Sequence, residues 1–487
     1  MSAKWAFCVL FCFVASSFLF IIAVANAKTL YVDDDGGAGV FSRIQDAVDA
    51  ASPGDTIIVR EGTYIENIYV GKSLRIFAEE GYEYTFVFAA DSSAHIFEVK
   101  ARDVSISGFT IMGAKGESAG IYIQNAENCS IYGNNISYCT YGIFLNGTRR
   151  SIISSNIIDS NEYYGIFLDS SNENVIINNF ASKNWDGIFL KSSYKNRIEN
   201  NSAVYNNFGG ISLMHSCENI ILNNTVQSNF FHGLYLMSSY NNTLSMNRAL
   251  LSMYYGINVL DSDWNLIYLN DFVNNRFNAK SSGSNCWNST EKKRYAYNNS
   301  TYEDFMGNYW SDYEGNDTEG DGIGDVPYII AISAETDNYP LIESFLGYEI
   351  QEKRQIFDCG EPKNPYPSIM GTHKGTIMPS ETLTVSKICV YPCTGTCGHI
   401  EYVRIWNASL NVSARWKGYE GAWKCISFNN SFVLYAGKKY NYTIITGSYP
   451  QIHHTDRLNL DCGVITCDEF VDANGIIHKW IPAIRLE

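Results

Sequence analysis

A glycine recurs every 22 or 23 residues through the middle of the chain, and this period constrains the fold more than any other feature. The glycines that share the spacing are Gly120, Gly142, Gly165, Gly187, Gly210, Gly233 and Gly256. A short apolar stretch follows each of them, as in Ile143-Phe144-Leu145 and Ile188-Phe189-Leu190. Alternation of inward and outward positions over so few residues indicates a β-strand. Self-similarity at a fixed period of this length predicts a stack of repeated coils.

Asparagine occupies two further positions of the repeat. Asparagines fourteen residues after a glycine are Asn134, Asn156, Asn179, Asn201, Asn224, Asn247 and Asn270, and those nine residues after one are Asn174, Asn196, Asn219, Asn242 and Asn265. Asparagine tolerates turn backbone, and its amide can bond to the same group one coil away. Because one coil cannot bury its apolar side alone, successive coils stack at the strand spacing. The sequence therefore predicts an all-β chain dominated by a right-handed parallel β-helix, residues 56–305, of about ten coils.

The first end of such a stack needs a cover, because an exposed strand edge invites aggregation. Residues 28–55 are predicted to supply it as an N-terminal cap. A helix is expected over 41–52, where Ser42 followed by Gln45 is a capping pattern. The apolar residues of this segment fall on one helical face; they are Ile44, Ala47, Val48 and Ala51.

The repeat fades after residue 305, and the chain changes character there. Residues 306–345, rich in Tyr, Trp and Asn, are predicted to close the second end. The charged stretch within 346–355 is expected to be a linker. Residues 356–487 alternate short β-type stretches with turn signals, which favours a separate β-sandwich-like domain.

The N-terminus predicts export. Lys4 precedes an apolar run from Trp5 to Ala25, and Ala25-Asn26-Ala27 is a typical cleavage pattern, so residues 1–27 are predicted to be a signal peptide of a secreted or cell-surface protein. An uncleaved run would be long enough to anchor the chain, and it is the one membrane contact expected. The net charge of −16 makes a nucleic-acid partner unfavourable.

The segment that follows the repeats carries a family resemblance. Its motifs are Gly307-Asn308-Tyr309-Trp310-Ser311-Asp312-Tyr313, Asp321-Gly322-Ile323-Gly324-Asp325 and Asp337-Asn338-Tyr339-Pro340-Leu341. With the Asn-rich coils, residues of about 30–345 resemble the NosD-type β-helix family, described as periplasmic copper-binding and as a carbohydrate-binding and sugar-hydrolysis module. The resemblance implies a pectin-lyase-like helix. It also implies copper, although only His95, His215 and His232 lie in the repeats, at different offsets.

One acidic loop has the ligand spacing of a calcium site. Asp317, Glu319 and Asp321 stand at positions one, three and five, Gly322 follows for the turn, and Asp325 stands at position nine. The twelfth position is a tyrosine, so the usual bidentate carboxylate is missing. The sequence predicts structural Ca²⁺ here, with a solvated acidic turn as the alternative.

Aromatic residues recur at outward positions of the repeat. The rings singled out as glycan-binding candidates are Tyr122, Phe144, Phe167, Phe189, Trp185 and Tyr235. Flat exposed rings along a groove suit a polysaccharide, because sugar faces stack on aromatic rings. The predicted partner is an extracellular polysaccharide or cell-surface glycan. Stacking of the rings on one another at the coil corners is the alternative.

The C-terminal region concentrates cysteine and histidine. His373, His399 and His454 are predicted as a transition-metal site for Cu or Zn, since imidazole suits both. Disulfides are the favoured role for the cysteines in an exported domain, with Cys462 and Cys467 as the candidate pair.

These observations favour a non-enzymatic, secreted or surface-associated protein that binds glycan or has a structural role. No catalytic residue is assigned from the sequence. A polysaccharide lyase or hydrolase acting on the aromatic groove is one alternative, for which a carboxylate pair about 5–10 Å apart would be needed for hydrolysis. A copper- or zinc-handling protein acting through the C-terminal domain is the other.

Overall fold

A computed structural model describes residues 27–332, 334–351, 356–418 and 424–487. The chain forms two compact units that divide between Gln351 and Glu352. All but the last residue of the predicted signal peptide, with the anchor that it could form, lies outside the described residues. Within those four ranges, no helix is both long and apolar enough to cross a bilayer.

The first unit is a parallel β-helix, which confirms the predicted fold. Each coil contributes a strand to each of three parallel sheets, and the first and third sheets contain 11 strands and the second sheet 10. The strands of the first sheet are Thr29–Val32, Thr56–Val59, Arg75–Ala78, Ser105–Ser107, Ser130–Tyr132, Ile152–Ser154, Val175–Ile177, Arg197–Glu199, Ile220–Leu222, Thr243–Ser245 and Leu266–Tyr268. The helix therefore has about eleven coils rather than about ten.

The glycines that define the period lie in the second sheet. Its strands are Ile68–Val70, Phe97–Val99, Ala119–Gln124, Tyr141–Asn146, Tyr164–Asp169, Asp186–Lys191, Gly209–Met214, His232–Met237, Tyr255–Leu260 and Phe277–Ser282. The strands of the third sheet are Gly62–Ile65, Thr85–Phe88, Thr110–Met112, Asn135–Ser137, Ile157–Asp159, Phe180–Ser182, Ser202–Val204, Thr225–Gln227, Arg248–Leu250, Asp271–Val273 and Tyr309–Trp310.

Like residues lie over like residues inside the helix. Ile166 is in register with Ile143 and Ile188 on the neighbouring coils, and all three are fully buried. The repeat glycine is required by close approach. A Cβ on Gly187 would lie 2.7 Å from the carbonyl oxygen of Gly210 and 2.8 Å from the side chain of Ala203. Any larger residue would separate the coils.

The predicted asparagine columns are confirmed as hydrogen-bonded ladders. The Asn201 Oδ1 atom accepts from the Asn179 backbone N–H at 2.9 Å and from Asn179 Nδ2 at 3.0 Å. Asn179 Nδ2 also donates to the Ile153 carbonyl at 2.8 Å. A third column of asparagines and a column of hydroxyls were not predicted from the sequence. They are Asn161, Asn184, Asn206 and Asn229, and Thr148, Ser171, Ser193, Ser216, Ser239 and Ser262.

A helix, Ile44–Ala50, covers the first coil as predicted, and its apolar residues are buried there. The predicted cap was wrong, because Ser42 does not cap this helix. Arg43 is the N-cap and provides no side-chain bond. The buried carboxylate of Glu66, from the next coil, instead accepts from the Ile44 and Gln45 backbone N–H groups at 2.8 and 3.0 Å. A negative charge at a helix N-terminus is favourable in itself.

The closing segment continues the ladder and then ends it. Asn308 Oδ1 accepts from Asn270 Nδ2 at 2.9 Å, and the buried Asp337 carboxylate accepts from Asn308 N and Trp310 Nε1 at 2.7 and 2.9 Å. The remaining elements are the antiparallel strands Lys293–Tyr297, Ser300–Asp304 and Glu349–Gln351, the pair Tyr328–Ile329 and Thr336–Asp337, and the 3₁₀ helix Phe345–Gly347. The expected linker 346–355 thus begins as regular structure.

The second unit contains two antiparallel sheets that share one apolar core, as the sandwich prediction expected. The four-stranded sheet consists of Phe357–Asp358, Ile484–Leu486, Leu383–Val390 and Cys425–Leu434. The seven-stranded sheet consists of Asn411–Arg415, His399–Trp406, Tyr440–Gly447, Gly371–Pro379, Gly463–Asp472, Arg457–Leu460 and Ile477–His478, and a two-stranded sheet of Ile452–His453 and Ile481–Pro482 accompanies them.

The structure pairs different cysteines from those predicted. A disulfide joins Cys389 and Cys425 on neighbouring strands of the four-stranded sheet, whereas Cys462 and Cys467 are free thiols. Cys462 immediately precedes the strand Gly463–Asp472, and Cys467 lies within it. Five residues of extended chain span about 17 Å, far beyond the roughly 7 Å Cα separation that a disulfide allows.

Candidate functional site

The outward face of the second sheet carries rows of aromatic side chains. Two rows of side chains lie along it, and a third row lies at the coil corner beside them. The pre-glycine row is Tyr141, Tyr164, Asp186, Gly209, His232, Tyr255 and Phe277. The mid-strand row is Tyr122, Phe144, Phe167, Phe189, Ser212, Tyr235, Asn258 and Lys280. The corner row, one residue before the pre-glycine row, is Tyr163, Trp185, Phe208, Phe231 and Tyr254.

The mid-strand rings are less exposed than the sequence led us to expect. Tyr122, Phe167 and Phe189 are 8, 6 and 7% exposed, and Phe144 and Tyr235 are half-buried. Rings of the pre-glycine row cover them. The Tyr164 ring lies 4.9 Å from that of Phe167 and 4.5 Å from that of Phe189, measured between centroids. The two rows therefore form one packed aromatic layer.

The corner row is stacked on itself, as the alternative interpretation proposed. The Trp185 and Phe208 rings are 5.8 Å apart and 5° from parallel, and Phe231 lies 5.5 Å from both Phe208 and Tyr254. Stacking turns the ring edges toward solvent along the middle of the row. The ends of this stack remain accessible, since Trp185 is 43% and Tyr254 39% exposed. Tyr163, one coil before Trp185, is 46% exposed.

The aromatic layer is interrupted where two small residues replace rings. At Gly209 and Ser212 the layer holds a carboxyl group instead, because the Asp186 side chain lies there and hydrogen-bonds to the Ser212 hydroxyl. A Cβ on Gly209 would collide with both side chains. Asp186 is 3% exposed, and burial raises its pKa to about 7, opposed by hydrogen bonds from Ser212 and the Gly209 backbone. This carboxyl is therefore partly protonated at neutral pH.

Two more buried polar residues adjoin the interruption on the following coils. His232 and Asn258 are 7 and 8% exposed, and Asn258 Nδ2 lies 3.5 Å from His232 Nε2. Burial, assisted by Lys280, lowers the pKa of His232 to about 4, so the ring is neutral at pH 7. His232 Nδ1 and Asn258 Oδ1 have no hydrogen-bond partner anywhere in the described ranges. We call Asp186, Ser212, His232 and Asn258 the polar cluster.

This cluster was not predicted from the sequence. Asp186 and His232 each occupy the position before a repeat glycine, where Tyr141, Tyr164 and Tyr255 stand on other coils. That departure from the repeat is the signal that could have found them. Their burial could not be foreseen, because it depends on the rings of other coils.

The predicted calcium loop folds as a turn whose carboxylates bind its own backbone. Asp317 accepts from the Gly320, Asp321 and Gly322 N–H groups at 2.7, 3.1 and 2.8 Å. Asp321 accepts from the Ile323 N–H, and Asp325 from Thr318. Glu319 is exposed. Across the described residues, these carboxylates do not converge as a metal-binding group. Calcium binding stays a prediction.

The three predicted metal-binding histidines lie in separate packing contacts. His373 stacks on Phe470, with Nδ1 bonded to the Trp480 carbonyl at 2.9 Å. His399 stacks on Trp416 and bonds to the Cys397 carbonyl, and His454 packs against Trp480 and bonds to the Pro367 carbonyl. In the described part of the chain, the one convergent group of ligand-type residues is Cys389, Cys425 and Glu487, whose cysteines form the disulfide. The predicted three-histidine cluster is not assembled.

The β-helix does not fit copper either. His95 stacks on Tyr122 at 4.1 Å, and its Nδ1 accepts from the Ala119 N–H at 3.0 Å. His215 lies exposed at a turn, and His232 is enclosed in the aromatic layer. No group of convergent metal ligands is found among the described residues of the coils.

Successive coils stack to form three parallel sheets, and this arrangement defines the class of protein, a parallel β-helix protein. The family model described as "Periplasmic copper-binding protein (NosD)" matches residues 48–229 and 206–315, which together are more than half of the chain. The chain belongs to this family. The resemblance found in the sequence is thereby confirmed, whereas the copper ligands that the description implies are not assembled in the described coils.

A curated relative and several solved structures are also similar. A cell surface glycoprotein of Methanothermus fervidus is 38% identical over 98 residues, which are 20% of this chain and only 16% of that protein. The pectate lyase Pel9A structure is 15% identical with a TM-score of 0.37, covering 54% of this chain and 78% of that one. The tailspike protein 2 of an Escherichia coli O157:H7 bacteriophage is 13% identical with a TM-score of 0.44, covering 94% and 73%.

Proposed function

We propose that this protein is a surface-associated parallel β-helix protein that binds an extracellular polysaccharide or cell-surface glycan. The binding surface is the outward face of the second sheet. The observation that carries the proposal is the aromatic layer on that face, with Tyr163, Trp185 and Tyr254 exposed along its corner. Sugar rings stack on such side chains, and accessible aromatic patches on a folded surface commonly mark binding sites.

The geometry favours an extended chain over a small ligand. The corner row advances by one ring per coil, and neighbouring rings lie 5.5 to 5.8 Å apart from Trp185 to Tyr254. Such a row offers repeated contacts along a line, which suits a polymer of repeating units. The cell surface glycoprotein among the relatives and the predicted signal peptide support a location where such polymers occur.

A second candidate function is cleavage of the bound polysaccharide at the polar cluster. The observation that favours it is Asp186, whose pKa of about 7 would allow it to donate a proton near neutral pH. Hydrolysis needs a second carboxylate about 5–10 Å away. Among the described residues, Asp186 is hydrogen-bonded to Ser212 and to the Gly209 backbone and is not paired with a second carboxylate. Binding without cleavage therefore remains the leading proposal.

The test is binding of soluble neutral and uronic-acid oligosaccharides to the secreted chain by isothermal titration calorimetry. Trp185→Ala should lower the affinity about tenfold, since a lost ring contact of about 1.4 kcal/mol corresponds to that factor. Trp264→Ala is the matched control, because Trp264 is 68% exposed at a different corner of the same helix. It should leave the affinity within about twofold. Failure of every oligosaccharide to bind, or equal losses in the two variants, would overturn the proposal.

The same mixtures distinguish binding from cleavage. New reducing ends or unsaturated products that disappear in Asp186→Asn would favour the enzyme. Intact oligosaccharide after long incubation with a protein that binds it would favour the binding role.

A further inference from the structure

We infer that the polar cluster is a hydroxyl-recognising subsite, at which the aromatic face selects one neutral sugar residue of the bound chain. The inference rests on the proposed glycan binding and assigns a ligand chemistry to residues outside the exposed rings. Four observations lead to it: a gap in the aromatic rows, unpartnered buried atoms, the local charge and a movable cover.

The gap in the mid-strand row is one coil wide. Ser212 is in register with Phe189 on one side and Tyr235 on the other, so two rings flank a single hydroxyl. Gly209, at the same coil of the pre-glycine row, adds no side chain. Aromatic surfaces on either side of small polar groups can contact the faces of a sugar while the polar groups meet its edge.

The unpartnered atoms supply a matched donor and acceptor. With the Asn258 amide N–H directed at Nε2 of the neutral His232 ring, the ring proton would be on Nδ1, which has the Phe231 backbone beside it but no well-aligned hydrogen-bond acceptor in the described residues. Asn258 Oδ1 likewise has no donor there. Leaving such groups buried and unpaired is unfavourable, because each has lost its hydrogen bonds to water without replacement. A pair of sugar hydroxyls can accept from Nδ1 and donate to Oδ1 together, which satisfies both.

Charge decides between a neutral sugar and a uronate. Asp186 offers a hydroxyl or carboxylate oxygen to the gap, and ionisation would make it repel a sugar carboxylate. Lys280 is the cation whose charge bears on His232, and the Tyr255 ring lies 5.7 Å from its Nζ. The chain as a whole carries −16. A neutral residue with neighbouring hydroxyls avoids repulsion from an ionised Asp186 and from the net negative charge, and it does not depend on attraction by Lys280.

Tyr235 is the side chain that can uncover the cluster. Its ring stacks 5.0 Å from His232, it is half-buried, and its hydroxyl donates to Met237 Sδ at 3.3 Å. A thioether is a weak acceptor, so this bond offers little resistance to rotation of the side chain. The ring would then stack on the sugar that replaces it.

The experiment compares binding of a neutral oligosaccharide, cellohexaose or the tightest neutral binder in the same panel, with its monodeoxy analogues. The wild type should discriminate against an analogue that lacks a recognised hydroxyl by about tenfold or more. His232→Phe, which restores an aromatic row, and Asn258→Leu should abolish that discrimination. Trp185→Ala should weaken binding to all analogues alike. Unchanged melting temperatures establish that the variants are folded.

The outcomes separate the inference from the proposed function. If no oligosaccharide binds the wild type, the proposed function fails and the inference with it. If binding occurs and weakens in Trp185→Ala, but His232→Phe and Asn258→Leu discriminate among the analogues as the wild type does, only the inference is overturned. Binding confined to uronic-acid oligosaccharides would overturn the assignment to a neutral sugar.

Discussion

The asparagine columns and the polar cluster are two regions of the same helix in which polar side chains are buried. They differ in how completely those side chains are hydrogen-bonded. Asn201 is 2% exposed and Asn258 is 8% exposed. The Asn201 side chain accepts two hydrogen bonds from Asn179 and donates to the Ile176 carbonyl and to Asn224 Oδ1. Asn258 has a single long contact with His232, and its oxygen has no partner in the described residues.

The difference shows what repetition contributes. In a column, each coil presents to the next the same donor and acceptor that it meets from the previous one, so every internal member is satisfied without a special arrangement. The polar cluster is built from four residue types on different coils, so the repeat does not match its donors with acceptors. Buried groups that stay unsatisfied in a native structure call for an explanation, and a ligand is the one proposed here.

The largest expected loss of stability comes from placing a carboxyl group in the apolar interior, where no asparagine column can hydrogen-bond to it. Leu190 is fully buried between Leu168 and Leu213. Leu190→Asp should lower the free energy of unfolding by at least about 4 kcal/mol, because the new group has neither solvent nor partners. Urea denaturation measures it, and Tyr205→Asp, at a site 58% exposed, should change little. Equal stability of the two variants would contradict the coil packing.

Breaking a column should have the next largest effect. Asn201→Ala leaves the Asn179 N–H without its acceptor and removes a donor from the Ile176 carbonyl. The loss should be about 3 kcal/mol, the sum of these desolvation penalties. Asn207→Ala, at an exposed asparagine in the next turn, is the control and should stay within about 0.5 kcal/mol. Similar melting of both variants would show that the ladders do not stabilise the helix.

The pH dependence of stability tests the polar cluster itself. The pKa of Asp186 is about 7 in the folded protein, above the value of about 3.9 for an unfolded chain. The folded state therefore binds the additional proton between these values, and its stability falls as pH rises through that window and levels off above it. Asp186→Asn should remove a fall of about 2.6 kcal/mol between about pH 5 and 8. Denaturation at both pH values measures this, with the exposed Asp261→Asn as control.

The smallest expected change in stability gives the clearest contrast between the polar cluster and the asparagine columns. Asn258→Leu exchanges an unsatisfied buried amide for an apolar group of similar size, so stability should be unchanged or rise by up to about 1 kcal/mol. A buried asparagine would then be unnecessary for stability in the polar cluster and necessary for stability in the column. A loss as large as that of Asn201→Ala would mean that Asn258 has a structural partner, and the subsite would lose its main support.

The sequence predicts the parts of the fold that repeat. Spacing alone located the coils through Gly187 and the columns through Asn201, because translation along the helix converts a sequence period directly into a contact. Contacts that occur once were not predictable in the same way. Glu66 caps the first helix from a position 21 and 22 residues beyond the N–H groups that it binds, and local capping patterns do not extend that far.

The same distinction between repeated and single contacts applies to the candidate site. The rows of outward rings were predicted, but which rings are covered depends on side chains such as Tyr164, which lies between two mid-strand rings. The Cys389–Cys425 disulfide required the strand pairing of a region without a repeat. His232 and Asn258 look unremarkable in the sequence, because the absence of a partner is visible only when all neighbours are placed.

The register of the asparagine columns also bears on how such a gene can change. A duplicated coil of 22 or 23 residues would present an Asn179-type donor to an Asn201-type acceptor on both of its sides, so whole coils can be inserted or deleted without disturbing the remainder. The polar cluster spans the coils from Asp186 to Asn258, and an insertion there would separate its members. The length of the chain can therefore change by whole coils on either side of the polar cluster, whereas the number of coils within the cluster must stay the same.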